Sequence, residues 1–477
     1  MRLAQNTTSQ KNLTKNQLSP PPNCAPSPHT DDENATRNRA EQSFNALAEG
    51  SMDALVAALT STLCNDSSVA RKQQAALQLR RLLSREQHEL RMKALPPGSQ
   101  RPLMRLEALQ AGSQQGLKAG LLHSFSNEQD MKVRTSVAAA IAEVAAQCGG
   151  EGCKDWPGLL QTVFDGAAVA DWKRQKSSLE LLGLIALAAG GKSIFPHAAP
   201  IGTMLQTLLT TPAVDVHTRV AAMVCCEQLI EAFLLKEGGV GREASQGVIA
   251  SFQALIPALV GALQSVFSAA CSDAQDLAEE ALQEMTNIVI LVPTFFRAQL
   301  NAVCGAVVTI LGAPTLPEDT RSAALEFLLN LAEEAGATVR KVPQLSETVL
   351  KLTLDLMQQY EDAEEHLAQW AAVEDKEEDE DEEAQGIRGT GANGIMRYAS
   401  ALGAKQAWPL FQKIAEPLFK NPDWRARAAA ITVRAACCLL LPAAAVAFFP
   451  FLPLLTLFIN FCDASVCAST IFSPPFS

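Results

Sequence analysis

What most constrains this chain is a recurring helix that opens on an aspartate and carries an arginine about one turn later. Asp130 and Arg134 stand four residues apart, as do Asp215 and Arg219, and Asp423 and Arg427. Asp171 with Arg174, Asp319 with Arg321, and Asp66 with Arg71 are looser versions. An aspartate at a helix start accepts hydrogen bonds from free backbone N–H groups and suits the positive end of the helix dipole. An arginine one turn on is expected to reach a carboxylate of its own or the next repeat. A single acid and base on a solvated helix face would mean nothing. Six at the same place in the pattern mark these residues as structural members of a repeat.

Behind each aspartate runs an apolar face. Val133, Val137, Ile141, Val144 and Cys148 follow helical spacing, and Gly149 and Gly150 then offer a left-handed cap. Ala222, Cys225, Cys226, Leu229 and Phe233 repeat the pattern. So do Leu325, Leu328, Leu329 and Ala332, with Gly336 expected to close that helix. Arg134 to Arg174 is 40 residues and Arg174 to Arg219 is 45, and further helices begin near Asp273 and Asp319. Each interval holds a second amphipathic helix, often opened by proline: Pro157, Pro200, Pro293, Pro343 and Pro409. Two helices in this period are the mark of HEAT or armadillo repeats, and the Asp-x-x-Val-Arg start at Asp130 points to HEAT. The expected fold is all-α, a HEAT-repeat superhelical solenoid (an α-α superhelix) of about nine repeats with a long concave surface. Aromatics at only 5% argue against a sheet-rich alternative.

Texture then sets the boundaries. Residues 1–32 are polar and expected to be a disordered tail, with no apolar stretch of the kind a signal peptide needs. Residues 33–372 would hold the first repeat, mainly one helix around Asn34 to Ala48, through the first helix of the eighth. An acidic loop follows at 373–392, the rest of the eighth repeat and the ninth at 393–440, and a hydrophobic C-terminal tail at 441–477. From Ala435 to Cys462 no residue is charged, a length that could cross a bilayer, although Pro442, Pro450 and Pro453 interrupt it. A tail anchor is one reading. The favoured one is a tail foreign to the fold, from a truncated or misjoined coding sequence, so no membrane partner is expected.

The net charge is -12, from 39 basic and 51 acidic residues, which argues against direct binding of nucleic acid. Much of it sits in one run, EDKEEDEDEE, made of Glu374, Asp375, Glu377, Glu378, Asp379, Glu380, Asp381, Glu382 and Glu383 around one lysine. Such a run cannot pack in a core, and its field favours a basic partner. No catalytic, cofactor or metal constellation emerges, and an enzyme is not expected. Ala189 to Ser193 reads AGGKS but lacks the earlier glycine of a phosphate loop and follows a helix. The six histidines include no pair spaced four apart. The 12 cysteines form no framework and read as reduced, small hydrophobes.

Four segments carry a resemblance: ARKQQAALQLRRLLS from Ala70, EEHLAQWAAVEDKEEDEDEEA from Glu364, GIMRYASALGAKQAWPLFQKI from Gly394, and NPDWRARAAA from Asn421. Together they resemble the importin-beta superfamily of nuclear transport receptors, over about residues 34 to 434, in the N-terminal half of such a receptor. The resemblance implies a concave face that binds Ran-GTP and cargo proteins with basic nuclear localisation signals, ribosomal proteins and histones among the candidates. It implies that the acidic residues Glu374 to Glu383 contribute to Ran or cargo contact. It also implies phenylalanine-glycine nucleoporins as partners, and a life in cytoplasm, nucleus and nuclear pore. Two features depart from the pattern: a polar tail stands where the first helix of the first repeat belongs, and the texture changes after Arg434. The alternative class is a HEAT scaffold assembling a multiprotein complex such as a phosphatase. The acidic interruption favours the receptor, because a regular scaffold would keep its repeats unbroken.

Overall fold

The computed structural model describes residues 44, 46, 47, 50–84, 106–148, 155–235, 238–269, 271–342, 344–359 and 386–440. Among these residues there is helix and no strand. The chain folds back on itself in successive hairpins: α1 (Met52–Asn65) with α2 (Val69–Leu83), α3 (Ala111–Asn127) with α4 (Met131–Gln147), α5 (Leu159–Ala168) with α6 (Trp172–Ala189), and α7 (Ala198–Thr210) with α8 (Val216–Leu234). After an added helix α9 (Arg242–Gln253) come α10 (Ile256–Phe267) with α11 (Ala274–Leu291), α12 (Leu300–Leu311) with α13 (Glu318–Val339), α14 (Leu345–Met357) with α15 (Ile387–Leu402), and α16 (Ala404–Ala415) with α17 (Trp424–Leu440).

Each hairpin stacks on the one before it. The second helices α2, α4, α6, α8, α11, α13, α15 and α17 pack successively in one layer. Beyond the α1/α3 pair, the first helices touch their neighbours more sparingly in the other. A stack whose two layers differ in this way curves, with the tighter layer inside. The second helices therefore line the concave wall of a solenoid. One continuous apolar core runs between the layers. The faces expected from periodicity lie in it: Val133, Val137, Ile141 and Val144 in α4, Ala222, Cys226, Leu229 and Phe233 in α8, Leu325 and Leu329 in α13. A leucine buried this fully contributes about 2 kcal/mol, and no hairpin can bury both its faces alone. Cys225, Cys226 and Cys304 are free thiols in the same core, and burial pushes Cys226 and Cys304 up to about 12. They pack as small hydrophobes.

Three expected boundaries move. Gly336 does not end its helix: α13 kinks at Ala335 and continues to Val339, whose side chain is buried and holds the extra turn in place. Pro409 lies inside α16 rather than opening it, because Gly403, at φ +81°, joins α15 to α16 without a loop. The helix after the acidic run begins at Ile387 rather than near Gly394. Its glycines read as loop, yet they let α15 press on its neighbours. A Cβ at Gly391 would come within 3.0 Å of the Thr353 carbonyl on α14, and one at Gly394 within 2.9 Å of Leu325 on α13. Packing overrides propensity here.

The AGGKS segment is the end of α6, Gly190 and the start of a single helical turn, Gly191–Ile194, rather than a cap followed by a loop turn. Gly190 has φ +83°, and a Cβ there would meet the Gly238 carbonyl at 2.8 Å, so two backbones touch where a phosphate loop would leave room. The polar N-terminal tail, the helix expected around Asn34 to Ala48, Gly149 and Gly150, Pro343, the acidic run and the tail after residue 440 lie outside the described residues. Among the described residues, no single helix is long and apolar enough to cross a membrane.

Candidate functional site

The concave wall is built from the aspartates and arginines that open its helices. Asp130 accepts from the Val133 N–H at 3.1 Å, Asp215 from His217 at 2.9 Å and Asp423 from Arg425 at 2.9 Å. All three cap helix N-termini. The arginines do not pair with carboxylates as expected; they donate to backbone carbonyls in the turn before the helix. Arg134 reaches the Glu128 carbonyl, Arg219 those of Thr211 (3.0 Å) and Pro212 (3.2 Å), and Arg427 those of Asn421 (2.8 Å) and Pro422 (2.7 Å). The cause is geometric. Side chains on a helix lean toward its N-terminus, so an arginine one turn in lies over the preceding turn. Aspartate and arginine thus bind the same turn from its two ends. Only the looser Asp66 and Arg71, among the six pairs, are joined by a two-pronged ion pair, at 2.7 and 2.8 Å.

The wall itself is acidic in its middle. Glu180 on α6, Glu227 and Glu231 on α8, and Glu280 and Glu284 on α11 converge there. Glu227 is almost fully buried and hydrogen-bonds Glu284. Burial, then the charges of Glu284 and Glu231, push the Glu227 carboxyl up to about 8. Burial likewise raises Glu284 and Glu180; for Glu180 the Lys176 charge opposes the shift, and Glu280, across the intervening helix α8, adds to it. Side chains on alternate helices approach in this way on a concave surface. A protonated Glu227 is the donor that lets two carboxyls share one hydrogen bond. Further along, Arg397 on α15 forks onto Glu326 (2.6 Å) and Glu333 (2.8 Å) of α13, neutralising the wall locally.

Sequence reasoning missed this cluster. Its five residues sit on three helices, and read singly they are ordinary surface acids. It also missed the joint around His217, which bridges Asp215 at 2.6 Å and Asp273 at 2.8 Å and stacks on Trp172 with ring centroids 4.3 Å apart. The expected acidic contact residues Glu374, Asp375, Glu377, Glu378, Asp379, Glu380, Asp381, Glu382 and Glu383 lie outside the described residues.

Comparison with known proteins agrees with this architecture. The family described as "IPO5-like, TPR repeats" matches residues 129–306, and "Importin repeat" matches 314–409. A probable importin-5 homolog of Dictyostelium discoideum is 22% identical over 318 residues, 65% of this chain and 27% of the relative. Importin subunit beta-3 of Saccharomyces cerevisiae is 23% identical over 319 residues, 66% of this chain and 26% of the relative. The crystal structure of Kap121p bound to RanGTP superposes with a TM-score of 0.67 at 16% identity, over 93% of this chain and 37% of that one, and so shares its fold. Over these stretches the chain is similar to the importin-beta family. Within it, the chain resembles importin-5 and spans about a quarter of the length of the curated relatives it matches.

Proposed function

We propose that this protein acts in nuclear import, taking cargo and Ran-GTP on its concave wall. The observation that carries this reading is the convergence of Glu180, Glu227, Glu231, Glu280 and Glu284 on three consecutive second helices. Such a wall offers a basic localisation signal several carboxylates within one segment's reach, and long-range attraction speeds its arrival. Similarity to importin repeats over residues 129–306 and 314–409 supports the same direction, as does the structural neighbour bound to RanGTP. The acidic run from Glu374 to Glu383 would contribute to Ran or cargo contact, phenylalanine-glycine nucleoporins would dock between neighbouring repeats, and the protein would move between cytoplasm and nucleus. No step of this work needs catalysis or a cofactor; binding alone performs it.

The test is capture of purified Ran by the full chain, with Ran loaded with GTP or GDP, at about 50 and about 300 mM salt. We expect capture of the GTP form alone, weakening as salt rises. Equal indifference to both forms at both salt concentrations would remove the receptor reading and leave a HEAT scaffold.

A further inference from the structure

A cavity of about 240 Å³ opens between the second and third hairpins, where α3 ends, α4 and α6 begin and α5 passes. Its lining includes Ser126, Arg134, Thr162, Asp165, Arg174 and Ser178. Arg134 is only 2% exposed, yet its Nε and Nη1 have no hydrogen-bond acceptor. Its remaining nitrogen donates to the Glu128 carbonyl. Buried guanidinium N–H groups without acceptors are costly, because nothing replaces the water they gave up. Arg174 stands close enough for its charge to oppose that of Arg134.

The nearby carboxylates make their hydrogen bonds elsewhere, although the charges of Asp171 and Glu128 still favour the Arg134 cation. Glu128 accepts from Lys72 at 3.0 Å and from the backbone N–H groups of Gln129 and Asp130. Asp165 accepts from Gln161 at 2.7 Å, and Asp171 caps α6 through the Lys173 N–H. Two cationic forks therefore face one space with donors to spare, and exposed Asp165 and Val169 leave its mouth open.

We propose that this cavity is an oxyanion site in which a carboxylate or phosphate group bridges Arg134 and Arg174. Guanidinium forks match the oxygen spacing of both groups. The oxyanion has two possible sources, a carboxylate on a docked polypeptide or free phosphate. The proposal does not depend on the transport reading, since it stands on the unpaired donors of Arg134 rather than on the acidic cluster.

The experiment titrates the full chain, at constant ionic strength set with chloride, against inorganic phosphate and against a short peptide ending in a free glutamate. The Arg174→Gln and Arg134→Gln variants are titrated in parallel, with circular dichroism to verify their folding. The half-exposed Arg174 makes the first the safer variant. Saturable binding, weakened about tenfold or more in Arg174→Gln, is the expected result. Tighter binding of the peptide assigns the site to a protein partner, and tighter binding of phosphate assigns it to the free anion. No saturable binding of either probe, or binding unchanged in a folded Arg174→Gln, overturns the proposal and leaves a water-filled cavity.

Discussion

At the scale of single residues, His217 is the most informative side chain. Both of its ring nitrogens face carboxylate oxygens, and only the doubly protonated imidazolium donates to both. Partial burial works against that charge, but the bonds to Asp215 and Asp273 outweigh it and raise the pKa. A histidine raised on folding adds stability that is full below its unfolded value, near 6.5, and is lost as pH rises through the folded value. Melting curves of the wild type and His217→Gln should therefore differ most below the unfolded value and converge as pH rises through the folded one. A gap that stays constant across this range would mean that the ring does not titrate as a bridge. Glu227 changes stability with the same sign. Its carboxyl is raised to about 8, so its burial costs stability as pH climbs from the unfolded carboxylate range toward that value.

At the scale of elements, the α14/α15 hairpin is the odd one, because residues 358–386 separate its two helices in the sequence. A long connection adds little by itself to hold two helices together, so contact must. Gly391→Val would force a side chain against the Thr353 carbonyl and Met357, and overpacking of this kind costs about 1–3 kcal/mol. Hydrogen exchange should then quicken in α14 and α15 while α4 and α6 keep their protection, since stacked repeats are stabilised mainly by their neighbours. Uniform loss along the whole chain would contradict this. The same element shows what the amino acids disclosed and what they hid. The α4 and α8 faces were legible because one buried stripe repeats every turn. The start of α15 was not, because Gly391 and Gly394 look like loop until α13 and α14 are there to be approached. Gly336 misled for the converse reason: a glycine stops a helix only when no further contact pays for continuing, and Val339 supplies one. The acidic wall needed the stack itself, since nothing in the spacing of Glu180, Glu227 and Glu284 announces a common face.

At the scale of the whole molecule, like charges on the concave wall push its helices apart, and salt screens that push within about a Debye length of 8 to 10 Å. Small-angle scattering should therefore find the solenoid more open at low salt and contracted at high salt. The double variant Glu231→Gln, Glu280→Gln should lose part of that response. An identical salt response in both proteins would place the repulsion elsewhere. The arginines of the turns act on the same scale by a different route. Arg219 and Arg427 tie down the corner between the two helices of a unit, and so help set the tilt of one against the other. Units joined end to end carry any tilt forward undiminished. A half-exposed guanidinium at one corner thus has the leverage of a hinge pin near the root of a long arm, steering distant walls it never touches.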